Sequence, residues 1–300
     1  MVAKEFPGTL LEFEHWFRSE QSCMAYLERL RWPDGFVCPK CQMRKAWRTK
    51  RGRFHCEGCH SNVSIMAGTV FHRSKIPLRL WYRAMWWMTN QKVGINALGL
   101  QRLLGLSSYK TAWIMLHKLR RAMIRPGREQ LSGDVEVDET LVGGLTPGNS
   151  ARQAKNIVII AAEIRGEGIG RIRLAKLPND DGASIVGFVK NTVAKGSLIV
   201  SDGAWAYTWL TEDGYRHRRI PRAGSKELPR AHRIASLLKT WLLGTFQGRA
   251  SDKQLQPYLD EYAFRFNRRN SALRGQLFYR LLQQCAGNPP TPYHVMIRTS

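Results

Sequence analysis

Apolar positions in the first 125 residues recur at the spacing of amphipathic helices. Between residues 9 and 31 they predict two short helices that are interrupted near Ser19. Another helix is predicted to open at Pro77, where a proline is compatible with the first helical turn. Two more helices, over 95–106 and 107–123, are separated by a tight Gly-Leu-Ser turn and form a helix-turn-helix pattern. The N-terminal region is therefore predicted to be mainly helical.

The pattern changes to strand-like runs from residue 133 onwards. Three successive strands are followed by a helix, a strand, a helix, a short strand and two terminal helices. The strands are predicted at 134–144, 156–165, 170–178, 197–203 and 215–220, and the helices at 180–194, from Ala204, at 233–246 and at 254–269. This order predicts a mixed α/β sheet with flanking helices.

The breaks between these patterns predict several domains, as expected for 300 residues. We expect N-terminal helices at 1–35, a segment of short strands with four cysteines at 36–72, a helix-turn-helix region at 73–127, a sheet domain at 130–285 and a tail at 286–300.

The charge of the chain points to a polyanionic partner. Lys and Arg total 47 against 23 acidic residues, a formal net charge of +24 with a pI near 10.3. Residues 1–130 alone have a net charge of +15. Such an excess favours nucleic acid or an anionic membrane surface. No apolar run of about 18 residues appears, so a membrane span is not expected. Neither is a secretory signal, so we expect a cytoplasmic protein.

Four cysteines have the spacing of a structural zinc site. Cys38 and Cys41 form one C-x-x-C pair, and Cys56 and Cys59 form a second pair after 14 intervening residues. Four thiolates in two such pairs suit tetrahedral Zn²⁺ at a closed site, so residues 36–72 are predicted to form a zinc ribbon. Ordinary buried cysteines are the alternative, which this spacing disfavours.

Two basic segments are candidates for DNA contact. Six cations lie between the cysteine pairs: Arg44, Lys45, Arg48, Lys50, Arg51 and Arg53. A run of charges is usually a solvated surface, but on a metal-stabilised hairpin it predicts phosphate contact. The helix-turn-helix would place Ser108, Lys110 and Thr111 near the start of a recognition helix, unless it is an ordinary helical hairpin.

Two aspartates are candidates for a catalytic metal site. Asp138 lies within the first predicted strand, on the same face as Glu136 and opposite its valine neighbours. Asp202 ends a nearly all-apolar strand, although an Asp-Gly pair is also common in turns. Carboxylates from neighbouring strands can hold Mg²⁺ against phosphate oxygens for an in-line phosphoryl transfer.

The chain resembles the DDE-type transposases of the insertion-sequence-1595 family. The resemblance is carried by the four cysteines preceded by RWPDGFVCPKC, and by the motifs VEVDETLVGG, SDG, LKTWLLGTFQG and YLDEYAFRFNRR, over roughly residues 10–270. It implies a ribonuclease-H-like catalytic domain, a three-residue metal site and Mg²⁺-dependent DNA cutting and joining. Asp138 and Asp202 match the first two catalytic aspartates.

The third position departs from the acidic family pattern. In the family it is usually a Glu with a basic residue two helical turns later, and here it falls on His232, with Lys239 seven residues on. In the family such a basic residue contacts DNA near the scissile phosphate, so the resemblance implies this role for Lys239, and an ordinary exposed helix lysine is the alternative. A neutral imidazole suits Mn²⁺ or Zn²⁺ better than Mg²⁺, or it can orient water or a phosphate. Glu227, Glu212 or Asp213 is the alternative, and the copy could also be inactive.

The leading functional prediction is a transposase that nicks element ends and transfers 3′-hydroxyls into target DNA. Its expected partners are double-stranded DNA, at the ends and at the target, and further copies of itself. The expected cofactors are structural Zn²⁺ and catalytic Mg²⁺ or Mn²⁺, without a nucleotide, since no P-loop is present. The alternatives are an inactive DNA-binding regulator and a structure-specific nuclease.

Overall fold

A computed structural model describes residues 5–125, 127–143, 156–179, 181–221, 226–247 and 252–298. The chain divides into two compact units, which we call the N-terminal unit (Met1–Arg125 with Ser271–Arg298) and the sheet unit (Pro126–Asn270). The described elements are, in chain order, α1 (Leu10–Trp16), α2 (Glu20–Arg31), β1 (Ala46–Arg48), β2 (Phe54–Cys56), β3 (Asn62–Val63), α3 (Leu78–Asn90), α4 (Ala97–Leu104), α5 (Tyr109–Ala122), β4 (Asp134–Val142), β5 (Asn156–Arg165), β6 (Gly168–Lys176), α6 (Gly182–Thr192), β7 (Leu198–Ser201), a 3₁₀ helix (Trp205–Leu210), β8 (Arg216–Arg219), α7 (Pro229–Phe246), a short 3₁₀ helix (Asp252–Gln254), α8 (Leu255–Phe266), α9 (Gly275–Gly287) and α10 (Tyr293–Arg298).

The predicted break near Ser19 is the start of α2. The Ser19 hydroxyl accepts a hydrogen bond from the Ser22 backbone N–H at 3.1 Å, and the Ser22 hydroxyl accepts one from the Ser19 N–H at 3.3 Å. This reciprocal capping satisfies N–H groups that the helix itself leaves without partners. The two predicted N-terminal helices are therefore confirmed as α1 and α2.

The turn between α4 and α5 depends on a glycine. Gly105 adopts a left-handed conformation with φ of 62° and caps α4, and the Leu106 N–H donates to the Gln101 carbonyl at 3.0 Å. A side chain is disfavoured in this conformation, so the glycine ends α4 where the sequence predicts a turn.

The C-terminal helices α9 and α10 belong to the N-terminal unit. The sequence places residues up to 285 in the sheet domain and the remainder in a tail, whereas the segment from Ser271 lies in the other unit. Phe278 of α9 is fully buried between Phe13 and Tyr82. A Cβ on Gly275 would collide with the Pro7 backbone, so the chain comes close enough there to require glycine. Cys285 is a buried residue of α9.

The cysteine-rich segment forms a small antiparallel sheet in the order β1-β2-β3. Ala46 pairs with Cys56, Trp47 with His55, and Arg48 with Phe54. Because side chains alternate across a strand, Trp47 and His55 share one face of the hairpin.

The sheet unit has five strands in the order β6-β5-β4-β7-β8. Strands β4, β5 and β6 are antiparallel neighbours, and β7 and β8 run parallel to β4. Val135 and Val137 face α6 and the first 3₁₀ helix, whereas Val158 and Ile160 face α7 and α8. A mixed sheet in this order with helices on both faces is the ribonuclease-H-like arrangement, and the predicted fold class is confirmed.

Side chains of α8 cover the edge strand β6. The Asn267 amide accepts from the Ile172 N–H at 2.7 Å and donates to the Ile172 carbonyl at 3.1 Å, and Gln256 accepts from the Lys176 N–H at 2.9 Å. These bonds occupy backbone groups that an edge strand otherwise leaves open to another chain. No helix in the described part of the chain has the length and apolarity to cross a membrane.

Candidate catalytic and metal-binding sites

Asp138 and Asp202 lie on adjacent parallel strands. Glu136 of β4 pairs with Val200 of β7, and Asp138 and Asp202 each lie two residues beyond this pair. Asp202 directly follows β7, and its carboxylate accepts a hydrogen bond from the Ala204 N–H at 3.0 Å. The sheet thus brings both predicted catalytic carboxylates to neighbouring positions.

His232 reaches this pair from the first turns of α7. Its Nε2 atom lies 3.6 Å from Oδ2 of Asp138, and its side chain is 39% exposed. The imidazole therefore lies next to Asp138 and within reach of solvent. All three predicted catalytic residues thus lie in one region of the sheet unit.

A buried glutamate fixes the start of α7. Glu136 accepts hydrogen bonds from the backbone N–H groups of Arg230 and Ala231 at 2.7 and 2.9 Å, and its other oxygen pairs with the Arg230 guanidinium at 2.9 Å. A carboxylate at a helix N-terminus satisfies free N–H groups and complements the helix dipole. Glu136 therefore positions the helix that carries His232. Sequence alternation placed Glu136 on the face of Asp138, but its partner could not be found from the sequence.

The Asp138 carboxyl lies in a setting that suits a cation. Burial raises its pKa, the charge of His232 and a backbone hydrogen bond at Glu139 lower it, and the charge of Asp202 raises it again, with a net rise. A divalent cation would relieve both the burial cost and the repulsion. Two carboxylates and an imidazole are suitable donors for Mg²⁺ or, better, Mn²⁺.

A second contact ties β4 to the segment after Asp202. The hydroxyl of Tyr207, in the first 3₁₀ helix, donates a short hydrogen bond to the carboxylate of Glu139. Burial and the Glu139 charge raise the pKa of Tyr207 well above its usual value, so the phenol stays protonated. Nearby, Nε2 of His217 lies 2.9 Å from the Ser201 hydroxyl. These contacts support the backbone on both sides of the aspartate pair. Strand alternation places Glu139 away from Asp138, and nothing in the sequence identifies Tyr207 as its partner.

The other candidates for the third catalytic position lie in different settings. Asp213 pairs with Lys190 at 2.5 Å, and Glu212 and Glu227 are exposed. Lys239 is exposed on α7, two turns beyond His232 and on the same helix face.

The four cysteine sulfurs form a compact cluster. Cys38 and Cys59 are 3.6 Å apart, Cys41 and Cys56 are 3.5 Å apart, and all four sulfurs lie within 4.8 Å of one another. Zn–S bonds of about 2.3 Å place tetrahedral ligands about 3.8 Å apart, so the donor set fits zinc. Among the described residues, this is the one group of three or more His, Cys, Asp or Glu side chains whose ligand atoms all lie within 4.8 Å of one another. The ligand atoms of Asp138, Asp202 and His232 are more widely spaced.

The six predicted cations of the ribbon are all exposed, but they are not equivalent. Arg48 pairs with Glu28 of α2, and its guanidinium lies 4.8 Å from the centre of the Phe54 ring. Part of its charge is therefore compensated within the protein. The remaining five are Arg44, Lys45, Lys50, Arg51 and Arg53.

The predicted recognition residues lie at the start of α5. Ser108 occupies the N-cap position without a capping hydrogen bond from its side chain. Lys110 is exposed, with its ammonium 4.5 Å from the centre of the Tyr293 ring of α10, and Thr111 is half-buried. Contact between α10 and this helix could not be predicted, because the sequence pattern gave no helix at 293–298.

Two family models match the chain over the two regions described above. The "transposase zinc-ribbon domain" matches residues 18–62, and the "ISXO2-like transposase domain", a DDE transposase model, matches residues 130–267. Together with the cysteine cluster and the mixed sheet, these matches define a transposase with a zinc ribbon and a DDE-type catalytic domain. The chain belongs to the IS1595 family of transposases, as the sequence resemblance indicated.

One relative is an "uncharacterized protein in transposable element ISH50" of Halobacterium salinarum. It is 25% identical over 276 residues, which cover 83% of this chain and 91% of the relative.

Similar solved structures include an intasome, an integrase catalytic core and a strand transfer complex. A simian T-cell lymphotropic virus intasome bound to the B56 gamma subunit of PP2A gives a TM-score of 0.36 at 13% identity, covering 64% of this chain and 72% of the other. The BIV integrase catalytic core has a TM-score of 0.33 at 15% identity, and the match covers 50% of this chain and 93% of that one. The Mos1 strand transfer complex has a TM-score of 0.31 at 14% identity, and the match covers 68% of this chain and 75% of that one. At these TM-scores the fold assignment rests on the strand order of the sheet and on the family models.

Proposed function

We propose that this transposase cuts DNA at the ends of its mobile element and joins the released 3′ ends to target DNA. Asp138, Asp202 and His232 would form the catalytic site. The observation that carries the proposal is the placement of two carboxylates on adjacent parallel strands, with the His232 Nε2 atom 3.6 Å from one of them.

The chemistry requires two in-line displacements at phosphorus. In the first, a water oxygen bonds to the scissile phosphorus, the bond to the 3′ oxygen breaks, and that oxygen takes a proton to leave a 3′-hydroxyl and a 5′-phosphate. In the second, this hydroxyl attacks a target phosphodiester, and the displaced target oxygen takes the proton. Both steps need positioning and charge stabilisation, without a covalent protein intermediate.

The residues of the site would divide this work among them. Asp138 and Asp202 would hold a divalent cation, which when bound supplies Lewis-acid stabilisation of the phosphoryl oxygens. The Nε2 atom of His232 would either complete the cation's ligands or accept the proton of the attacking water. Lys239, exposed on the same face of α7, would contact a phosphate next to the scissile bond.

The N-terminal unit would bind the element ends. Cys38, Cys41, Cys56 and Cys59 would hold Zn²⁺, which would fix the hairpin that carries the five remaining exposed cations. The turn at Gly105 and the start of α5 would present Ser108, Lys110 and Thr111 to duplex DNA. The positive charge of residues 1–130 supports this assignment.

The test is cleavage of a labelled duplex that carries an end of the element, with Mg²⁺ and Mn²⁺ in parallel. We expect metal-dependent nicking by the wild type, a loss of at least about a hundredfold in rate for Asp138→Ala, Asp202→Ala and His232→Ala, and joining when target DNA is added. Asp134→Ala, on the same strand, is the matched control and should retain activity.

Different failures have different meanings. Full activity in His232→Ala would move the third catalytic position to another residue, with Glu227 tested next. Cleavage that appears only in His232→Glu would identify an inactivated enzyme. Nicking without joining would favour a nuclease, and end binding without cleavage in any variant would leave a DNA-binding regulator.

A further inference from the structure

We propose that Trp205 and Trp209 form a stacking site for an unpaired DNA base beside the catalytic aspartates. We call the two indoles the tryptophan pair. They lie in the 3₁₀ helix that begins three residues after Asp202. The proposal rests on the proposed function and specifies it, because it names the DNA structure that the site receives.

The tryptophan pair is exposed to an extent that large apolar side chains usually avoid. Trp205 is 64% exposed and Trp209 is 43% exposed. Within the described part of the sheet unit they are the two most exposed aromatic side chains. The rings meet edge to face, with centroids 5.1 Å apart and planes at 87°. This arrangement leaves a face of the more exposed indole open to a further flat group.

Within the pair, Trp209 is held in place by a close contact with the backbone. Trp209 packs on the start of α6, where a Cβ added to Gly182 would lie only 3.0 Å from its ring. The glycine at that position therefore allows the indole to lie directly on the helix backbone. A fixed ring loses little conformational entropy when a base stacks on it, which favours binding.

Positive charge adjoins the pair. The guanidinium of Arg219 donates a hydrogen bond to the Gly203 carbonyl, in the turn between Asp202 and Trp205. Arg219 lies on the same face of β8 as His217, whose ring stacks on Tyr207 of the 3₁₀ helix. Aromatic rings next to a cationic side chain are a combination by which proteins hold single-stranded nucleic acid, through base stacking and phosphate contact.

These features favour a nucleotide over an apolar protein partner. An apolar docking surface gains from burial of any carbon, whereas here the Arg219 guanidinium lies at the turn that leads into the two indoles. The position next to Asp202 also matches the need of the reaction. A base stacked next to Asp202 would hold the strand that is cut or joined there in register.

The test measures binding without catalysis. Full-length, zinc-loaded protein is titrated, in the absence of Mg²⁺ and Mn²⁺, with a fluorescein-labelled hairpin duplex that is either blunt or carries a short 3′ thymidine tail. We expect the wild type to prefer the tailed probe. Trp205→Ala and Trp205→Leu should weaken binding of the tailed probe by roughly five- to hundredfold and leave the blunt probe unchanged. Trp205→Phe, which keeps a ring, should retain most of the preference.

Two further variants separate stacking from other effects. Gly182→Ala removes no aromatic group but displaces Trp209, so it should reduce the preference as well. Leu243→Ala removes a side chain that is 66% exposed on α7, and it should leave the preference intact.

The proposal is overturned if the wild type shows no preference for the tailed probe. It is also overturned if Trp205→Leu keeps the preference, because an aromatic ring is then unnecessary, or if both probes lose affinity equally. The binding assay contains no catalytic metal, so its result does not depend on the cleavage test. If the protein prefers the tailed probe but does not cleave DNA, the stacking site stands and the proposed function is wrong. The reverse result would retain the transposase activity without the site.

Discussion

At the scale of single residues, the partly buried carboxylate of Asp138 lowers the stability of the metal-free protein but would be needed to bind a cation. The Asp138 carboxyl is 14% exposed and lies beside Asp202, so its ionised form is disfavoured in the metal-free protein. His232 offsets part of this cost. The net rise of the Asp138 pKa means that ionisation of this group opposes folding until a cation binds.

Asp138→Asn should therefore stabilise the metal-free protein while abolishing cleavage. A carboxyl whose folded pKa is raised contributes most to stability below its unfolded pKa, and it loses that contribution as the pH rises through the folded value. At pH 7.5 the variant should melt at a higher temperature than the wild type, by about 2–4 °C for each kcal/mol of unfolding free energy gained. This difference in melting temperature should shrink towards pH 4. Saturating Mn²⁺ should also shrink the difference. Melting of zinc-loaded protein without a chelator tests this, with Asp134→Asn as control. An equal gain in the control would contradict it.

The ribbon cations should differ in their contribution to DNA binding. Arg51 is exposed, whereas Arg48 pairs with Glu28 and lies over Phe54. Arg51→Ala should weaken duplex binding and reduce the slope of log affinity against log salt by about 1. Arg48→Ala should change the slope less, because less charge is available for a phosphate. Fluorescence anisotropy over a salt series measures both, and identical slopes in the two variants would argue against this distinction.

Among the secondary structure elements, β4 organises the site through side chains on both of its faces. On one face Glu136 holds the N-terminus of α7, and on the other Glu139 accepts the hydrogen bond of Tyr207. The helix that carries His232 and the segment that follows Asp202 are thus both attached to the strand that carries Asp138. The relative positions of the three catalytic candidates depend on these two attachments.

Loss of the Tyr207 hydroxyl should loosen the aspartate pair. Tyr207→Phe should lower the cleavage rate by about 10- to 100-fold and raise the Mn²⁺ concentration needed for half-maximal rate, as is typical for groups that orient metal ligands. Tyr215→Phe is the matched control, because it removes another tyrosine hydroxyl, which bonds the Val193 carbonyl at 3.0 Å. If both variants lose activity equally without a change in metal dependence, Tyr207 has only a structural role.

At the scale of the whole molecule, the chain forms two compact units, and the N-terminal one contains both the start and the end of the described sequence. The cysteine cluster lies in this unit, and the aspartates lie in the other. Zinc binding and catalytic metal binding should therefore affect different parts of the protein.

Removal of a zinc ligand should destabilise the N-terminal unit selectively. Cys59→Ser should lower one calorimetric unfolding transition by on the order of 10 °C, because a structural zinc site contributes several kcal/mol to folding. A second transition, from the sheet unit, should stay in place and should still shift upwards with Mn²⁺. Glu57→Gln, an exposed change in the same cysteine loop, is the control. A single transition that moves as a whole would show that the units do not unfold separately.

The sequence by itself determined the features that depend on short-range patterns. Ligand spacing gave the cysteine cluster, apolar periodicity gave most helices and the sheet strands, and alternation placed Glu136 and Asp138 on one face of β4. The helix predicted from Ala204 is instead a 3₁₀ helix, and α9 was not predicted at all.

Only the tertiary structure decided which distant groups meet. Glu136 finds its partners 94 and 95 residues away, Glu139 finds Tyr207 68 residues away, and α9 returns to the N-terminal unit. Periodicity states which face of an element is buried, but not what covers it, because many helices could cover the same apolar face with similar energy. The partner is selected by the packing of the whole chain, and here that packing places His232 beside Asp138 and leaves the tryptophan pair exposed next to Asp202.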